Sequence, residues 1–224
     1  MRIDILTLFP EMFAPLTESI IGRATKSGKV EIVVTDIRDY TENKHRKCDD
    51  YPFGGGAGMV MTPQPIYSAI MAVDPDHEAR RIFMSPKGRR FCQSMVSELL
   101  SYDRILLLCG HYEGVDQRVI DLCIDEEMSL GDFVLTGGEL PAMVLCDVVT
   151  RFVPGVLGCD ASSEDESFSD GLLEYPQYTR PQTYEGLSVP EVLLSGHHEN
   201  IEKWRREKSL EITRQNRPDL LEKK

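Results

Sequence analysis

No apolar run in the 224-residue chain reaches the length of a signal or membrane segment, so nothing in it is built to enter a bilayer as a helix. Its six cysteines, at 48, 92, 109, 123, 146 and 159, form no Cys-x-x-Cys pair and mostly fall inside apolar segments. That pattern disfavours a disulfide framework or a zinc ribbon and predicts buried, reduced thiols in a cytoplasmic protein. The marks of classical nucleotide chemistry are also missing. Gly54-Gly55-Gly56-Ala57-Gly58-Met59 is followed by no Gly-Lys-Ser/Thr, and Met59 stands where a dinucleotide fingerprint needs glycine. His111-x-Glu113 lacks the Pro-Cys-x-x-Cys of zinc deaminases, and His197-His198-Glu199 has no matching ligand pair. No nucleophile elbow or Ser-His-Asp order is present. Repeats are absent, and no metal site is expected.

What is present is alternation. A strand over 2–8, a helix over 11–25 and a strand over 30–37 precede a helix over 65–73. A strand at Ile82-Phe83-Met84 then leads to a helix through Met95, Leu99 and Leu100. The continuous run Arg104-Ile105-Leu106-Leu107-Leu108-Cys109 has the character of a parallel strand covered on both faces. Helices follow from the good N-cap Asp116 and from Glu139 to Phe152, the latter with Pro141 in its first turn. The expected fold class is α/β, a parallel sheet with helices on both faces, over residues 1–157. Residues 158–174 are acidic, small and nearly free of apolar anchors, which reads as a flexible linker. A small, mainly helical C-terminal domain is expected over 175–224.

Three of the strand ends run into glycine, proline and small polar residues. These are Ser85-Pro86-Lys87-Gly88, Gly110-His111-Tyr112-Glu113-Gly114, and Leu130-Gly131-Asp132-Phe133-Val134-Leu135-Thr136-Gly137-Gly138. In the last, three glycines bracket a short apolar run, a pattern that lets backbone wrap closely around a flat ligand or form two tight turns. Because ligands of open α/β sheets sit beyond the carboxyl ends of the strands, the three loops together are the expected binding site.

The formal charge is −12, which argues against a polyanionic partner. Its distribution qualifies that conclusion. Residues 195–224 carry a balance of +2, leaving −14 on the first 194. Basic groups gather at Lys44-His45-Arg46-Lys47, at Lys87, Arg89 and Arg90, and at Arg205-Arg206 with Lys208 beside Trp204. Three such clusters allow local phosphate binding despite the overall sign.

Leu-Phe-Pro-Glu-Met-Phe at 8–13, Tyr-Pro-Phe-Gly-Gly-Gly-Ala-Gly-Met at 51–59, Cys-Gly-His-Tyr-Glu-Gly-Val-Asp-Gln-Arg-Val at 109–119, the stretch 130–141, Arg-Phe-Val-Pro-Gly-Val-Leu-Gly at 151–158 and Tyr-Thr-Arg-Pro at 178–181 occur in this order. Each is weak alone; the ordered set, running from Arg2 to about Leu221, resembles the bacterial tRNA (guanine-N1)-methyltransferase family. The resemblance implies a SPOUT-class fold, in which the segments near 83–88, 110–116 and 130–141 form a deep trefoil knot. Periodicity alone points to an ordinary unknotted sheet, since knots are rare exceptions.

The resemblance further implies S-adenosylmethionine as cofactor, held by Phe83, Met84, Ser85, Pro86, Gly110, Leu130, Gly131, Asp132, Phe133, Val134, Leu135, Gly137, Gly138 and Pro141, with Tyr112 and Glu113 close by. It implies a tRNA partner whose guanosine immediately 3′ of the anticodon is methylated at N1; the basic clusters then offer Lys44, His45, Arg46, Arg205 and Arg206 as candidate RNA contacts. Arg151 matches the family's arginine for the guanine O6. At the base position family members commonly read Glu-Asp-Ser-Phe, whereas this chain reads Glu164-Asp165-Glu166-Ser167-Phe168. Glu166 falls in the slot when the count runs ungapped from Arg151; Asp165 fits through a one-residue shift, and Asp170 is the third and weakest candidate. A homodimer with its active site at the subunit interface and a dependence on magnesium are implied as well. Two rival readings stand beside this one. One is a non-catalytic RNA-binding module on the same fold; the other is a nucleotide-dependent metabolic enzyme.

Overall fold

The computed structural model describes residues 1–157 and 166–222. The chain divides into two compact units, Met1–Gly158 and Cys159–Lys224. In the first, β1 (Arg2–Thr7), α1 (Ser19–Lys26) and β2 (Glu31–Asp36) are followed by a short hairpin of β3 (Asp49–Asp50) and β4 (Val60–Met61). Then come α2 (Pro63–Val73), β5 (Arg80–Arg90), α3 (Val96–Leu100), β6 (Arg104–Cys109), α4 (Gln117–Cys123), β7 (Glu126–Ser129) and α5 (Glu139–Arg151).

Five strands form one parallel sheet in the order β2-β1-β6-β5-β7. Side chains alternate across its two faces. Ile3, Ile5, Ile82, Met84, Ile105 and Leu107 pack on one side with Ile21 of α1 and Ala142, Leu145, Cys146 and Val149 of α5. Leu6, Phe83, Leu106 and Leu108 pack on the other with Ile66 and Ile70 of α2 and Val119 and Ile120 of α4. Both faces are therefore dry, which explains the uninterrupted apolar run of β6.

Two sequence expectations change. The helix expected over 11–25 is a 3-10 helix, Pro10–Thr17, followed by α1, with an extended break at Glu18. Pro15 lacks the N–H a continuous α-helix would use, and the chain folds back so tightly that a Cβ on Gly22 would lie 2.0 Å from the Thr17 carbonyl oxygen. The second change is at β5, expected to end at Met84. It continues to Arg90 after a bulge: Met84 and Arg89 both pair with Met128, leaving Ser85–Gly88 looped out. Gly88 permits this, because its Cβ would stand 2.2 Å from the backbone carbon of Glu127.

The cysteines of the described residues are free thiols; Cys48, Cys109, Cys123 and Cys146 are buried and Cys92 is exposed. No described helix is long and apolar enough to cross a membrane. In the second unit, a hairpin of β8 (Thr183–Tyr184) and β9 (Leu187–Ser188) precedes α6 (Glu191–Leu194) and the long α7 (His198–Asn216). Thr213 of α7 is fully buried and its hydroxyl accepts the Leu173 N–H at 2.9 Å, tying the segment after residue 166 to the helix.

The amino-terminal edge of the sheet is held by charge. Arg81 is 2% exposed and its Nε donates to Asp74 Oδ2 at 2.7 Å, while the same guanidinium reaches the Asp74 carbonyl at 2.5 Å. Asp74, 1% exposed, also accepts the Glu78 N–H at 2.9 Å. Burial works against its charged form. Hydrogen bonds from Arg81 and the Glu78 and Ala79 amides outweigh that penalty and hold the carboxyl below its usual range. Asp74→Asn leaves Arg81 buried and unpaired, so it is expected to cost about 3 kcal/mol or more at pH 7. Because the folded-state pKa is lowered, the stability Asp74 contributes is complete above its unfolded value of about 3.9 and is lost as pH falls through the lower folded value. Urea unfolding of both proteins should show the gap between them narrowing only below about pH 4.

Candidate functional site

At the carboxyl ends of β5, β6 and β7 the chain leaves an open cleft of about 670 Å³, part of it solvent. Its first wall is the β5 bulge, with Phe83, Met84, Ser85 and Pro86. The turn Gly110-His111-Tyr112-Glu113-Gly114 forms the second. The third runs from Met128 through Gly138, except Asp132, and ends on Pro141 in the first turn of α5. The three loops singled out in the sequence therefore face one cavity.

Glycine allows the walls to meet. Gly138 donates its N–H to the Gly110 carbonyl at 2.8 Å, and a Cβ on Gly138 would lie 2.8 Å from Cys109 Cα and 3.0 Å from Gly110 N. One on Gly110 would meet Phe83 Cε2 at 2.8 Å, and one on Gly137 would meet Glu139 Oε2 at 2.2 Å and His111 Nδ1 at 2.6 Å. Backbone lies against backbone here because no side chain intervenes. Tyr112 takes a left-handed conformation, φ 59°, within a turn closed by Gly114 N–H to the His111 carbonyl at 3.1 Å. A tyrosine held there is mildly strained, as residues in ligand-clamping turns often are.

The cleft's charge is equally informative. Among its lining residues Glu113 is the one carboxylate, and there is no lysine or arginine. A phosphate would find no cation here, whereas a positively charged, largely apolar ligand would meet backbone, aromatic rings and a carboxylate. The nearby thiols are inert. Burial, then the charges of Glu139 and Cys146, push Cys109 well above the usual thiol range; burial and Asp147 push Cys146 up to about 12.

Of the cofactor residues named from the sequence, all but Asp132 line this cleft. Asp132 is exposed, because the Phe133 N–H turns back to the Gly131 carbonyl at 2.9 Å and the tight turn centres on Asp132. His111, Gly114 and Thr136, in the loops already singled out but not assigned to the cofactor, line it too, as do Met128 and Ser129 at the end of β7, which were not named. Continuity with the named loop residues was the available signal. The glycine run 54–58 is no phosphate loop. It is the tip of the β3–β4 hairpin, with Gly54, Gly55, Gly56 and Gly58 at positive φ, and a Cβ on Gly58 would meet Glu113 Oε1 at 2.5 Å.

Arg151 ends α5 and is half-buried. Glu166 belongs to the second unit, where it shares a polar depression with Asp170, Tyr175, Glu202, Arg205 and Arg206. Asp165 lies outside the described residues. Arg205 sits over the Tyr175 ring at 4.8 Å and donates to Glu202 at 2.8 Å; Arg206 pairs with Asp170. Lys44, His45 and Arg46 are exposed, Arg46 pairing with Asp39 and, at 3.5 Å, with Asp36. In the middle basic cluster Arg89 is engaged by Glu126 at 2.8 Å and Glu98 at 3.0 Å, as Arg46, Arg205 and Arg206 are by their own carboxylates. No group of three or more His, Cys, Asp or Glu among the described residues gathers as a metal site.

Gly138→Ala tests the backbone contact. The new methyl collides with main chain that cannot rotate away, so a loss of about 1–3 kcal/mol in unfolding free energy is expected, together with weakened ligand binding in the cleft. Thermal unfolding and calorimetric titration check the two effects; an unchanged midpoint would mean the loops do not meet there.

A family model described as tRNA (Guanine-1)-methyltransferase TrmD matches residues 1–223. A tRNA (guanine-N(1)-)-methyltransferase of Clostridium perfringens is 58% identical over 223 residues, covering 100% of this chain and 94% of the relative. The protein of the same description from Ruminiclostridium cellulolyticum is 58% identical over 226 residues, covering 100% and 97%. That of Clostridium botulinum is 59% identical over 223 residues, covering 100% and 92%. With both lengths matched almost end to end and the glycine-built cleft in place, the chain belongs to the tRNA (guanine-1)-methyltransferase TrmD family.

Proposed function

We propose that this protein transfers the methyl group of S-adenosylmethionine to N1 of the guanosine immediately 3′ of the anticodon in tRNA, releasing S-adenosylhomocysteine. The observation that carries this reading is the cleft at the ends of β5, β6 and β7: backbone-walled, apolar, bearing Glu113 and no cation. When bound, S-adenosylmethionine supplies an electrophilic methyl group on a positively charged sulfur. Gly110, Gly137 and Gly138 let the walls pack directly on one another, and a flat adenosyl group would lie against the main chain that lines the cleft. The loops near 83–88, 110–116 and 130–141 are proposed to be the crossings of a trefoil knot.

Neutral guanine carries a proton on N1, so a base must remove it as the N1–carbon bond forms and the sulfur–carbon bond breaks. Glu166 takes that role, or Asp165 through the one-residue shift. Charge that develops on O6 is met by the Arg151 guanidinium, whose planar donors suit a carbonyl oxygen. Arg205 and Arg206, beside Glu166 in the second unit, would anchor phosphates as that carboxylate is presented. Lys44, His45 and Arg46 are the second candidate anchor. No step is assigned to magnesium, for which the described residues gather no ligand set.

The site is proposed to form between two subunits, one contributing the cleft and Arg151, the other the acidic segment and the second unit. Support comes from large apolar side chains left exposed: Phe133 and Val134 on the cleft wall, and Leu140 and Val144 one turn apart on α5.

Methyl-labelled S-adenosylmethionine incubated with unmodified tRNA should place label on guanine N1. Glu166→Gln should lower that transfer at least about 100-fold while S-adenosylhomocysteine still binds; if it does not, and Asp165→Asn does, the base is Asp165. Arg151→Ala should reduce the chemical rate more than cofactor affinity. Mixing the Arg151→Ala and Glu166→Gln proteins gives a sharper check. In a shared-site dimer, random re-pairing restores one intact site in half of the dimers, about a quarter of full activity. No recovery on mixing would mean that each site draws both residues from one chain.

A further inference from the structure

Beneath the cleft two buried polar atoms face one another without a hydrogen-bond partner in the protein: Glu139 Oε2 and His111 Nδ1, 3.8 Å apart. Glu139 is 1% exposed and opens α5. Its other oxygen, Oε1, accepts the Thr7 hydroxyl at 2.8 Å, and that hydroxyl in turn accepts the Phe9 N–H at 2.9 Å. The carboxylate is thus fixed at the end of β1, with the favourable end of the α5 dipole beside it. His111 belongs to the opposite wall. Its ring lies 4.7 Å from Phe9 and 5.1 Å, edge-on, from Tyr112, and its backbone is bridged to Gly137.

Burying a carboxylate oxygen and a ring nitrogen unpaired is costly, and the two complement each other once Nδ1 carries the proton. A water with two ordinary hydrogen bonds of about 2.8 Å wants its partners about 4.5 Å apart, so 3.8 Å is too close for a bridge. A direct bond needs the ring to move about 1 Å. Gly137 leaves that path open: any Cβ there would fall between the two groups, 2.2 Å from one and 2.6 Å from the other.

We propose that His111 and Glu139 are positioning residues that latch the cleft: as it closes on its ligand, His111 Nδ1–H is donated to Glu139 Oε2. The latch carries Tyr112 and Glu113 toward the third wall and sets the spacing at which the adenosyl sulfonium is held. It rests on the reading of this cleft as the methyl donor's site.

His111→Phe keeps a ring against Phe9 and Tyr112 and removes the donor that faces Oε2. With S-adenosylhomocysteine titrated calorimetrically into full-length protein, it is expected to raise Kd about tenfold, with the unfolding midpoint and tRNA affinity unchanged. Glu139→Met, close to the same length but with no oxygen to accept the Nδ1 proton, should weaken binding to a similar degree. The double variant should be no weaker than the weaker single, because both changes break one contact. His111→Gln, able to present an amide donor near the same place, should recover most of the affinity. Wild-type affinity in His111→Phe, additive losses in the double variant, or no recovery in His111→Gln would each overturn the latch. A wild-type protein that fails to bind S-adenosylhomocysteine would overturn the donor reading of the cleft instead.

Discussion

The cleft depends on one contact between main chains: the 130–138 loop lying directly on the end of β6, with the Gly138 N–H on the Gly110 carbonyl at 2.8 Å. Everything around it is arranged to allow that approach. Cys109 beneath is small and buried, Gly110 clears Phe83, and Gly137 clears His111 and Glu139. α5 then starts at once, with Pro141 in the first turn, where a missing amide hydrogen costs nothing, and its inner face of Ala142, Leu145, Cys146 and Val149 seals onto the sheet. The helix is the rigid element, and the loop is held from both sides. A binding surface made of main chain needs such support, because loop backbone alone is mobile.

Charge is partitioned in a way the total of −12 conceals. At the amino-terminal edge of the sheet, carboxylates and guanidiniums pair in Arg81–Asp74 and Arg104–Asp4, both at 2.7 Å, and that network is structural. At the opposite edge neither lysine nor arginine lines the cleft. Of the exposed basic groups, those at 44–47 and on α7 are away from the cleft-lining loops in sequence, whereas Lys87 lies in the β5 bulge next to Pro86. A phosphate backbone and a sulfonium make opposite electrostatic demands.

The core and the cleft were legible because their causes are local. A run such as Arg104–Cys109 has few options other than a doubly covered strand, and Asp116 caps α4 as its side chain allows, accepting the Arg118 N–H at 3.0 Å. Glycine clusters at strand ends likewise report close backbone approach. What periodicity missed had distant causes. The tight 3-10 segment before α1 depends on Gly22 packing under Thr17, and the extension of β5 to Arg90 depends on Gly88 slipping past Glu127 of β7. Neither partner is visible from the residues themselves. The same holds for Glu139, which reads as an ordinary acidic residue in a helix's first turn and proves to be buried against Thr7, 132 positions away. Asp132 is the converse, a residue inside a cleft-lining loop that a tight turn sets facing solvent.

The sign of the cleft also bears on turnover. A methyl donor enters with a positive sulfur and leaves as a neutral thioether, so a site with Glu113 on its wall and Glu139 behind it attracts the donor more than the product. That difference is largest where water is scarce, and Glu139 is nearly dry. Backbone and apolar contacts, by contrast, hold the adenosyl part of donor and product alike and contribute nothing to telling them apart. On the proposed reaction, then, the walls supply affinity, and the two carboxylates supply the preference for a loaded cofactor over a spent one.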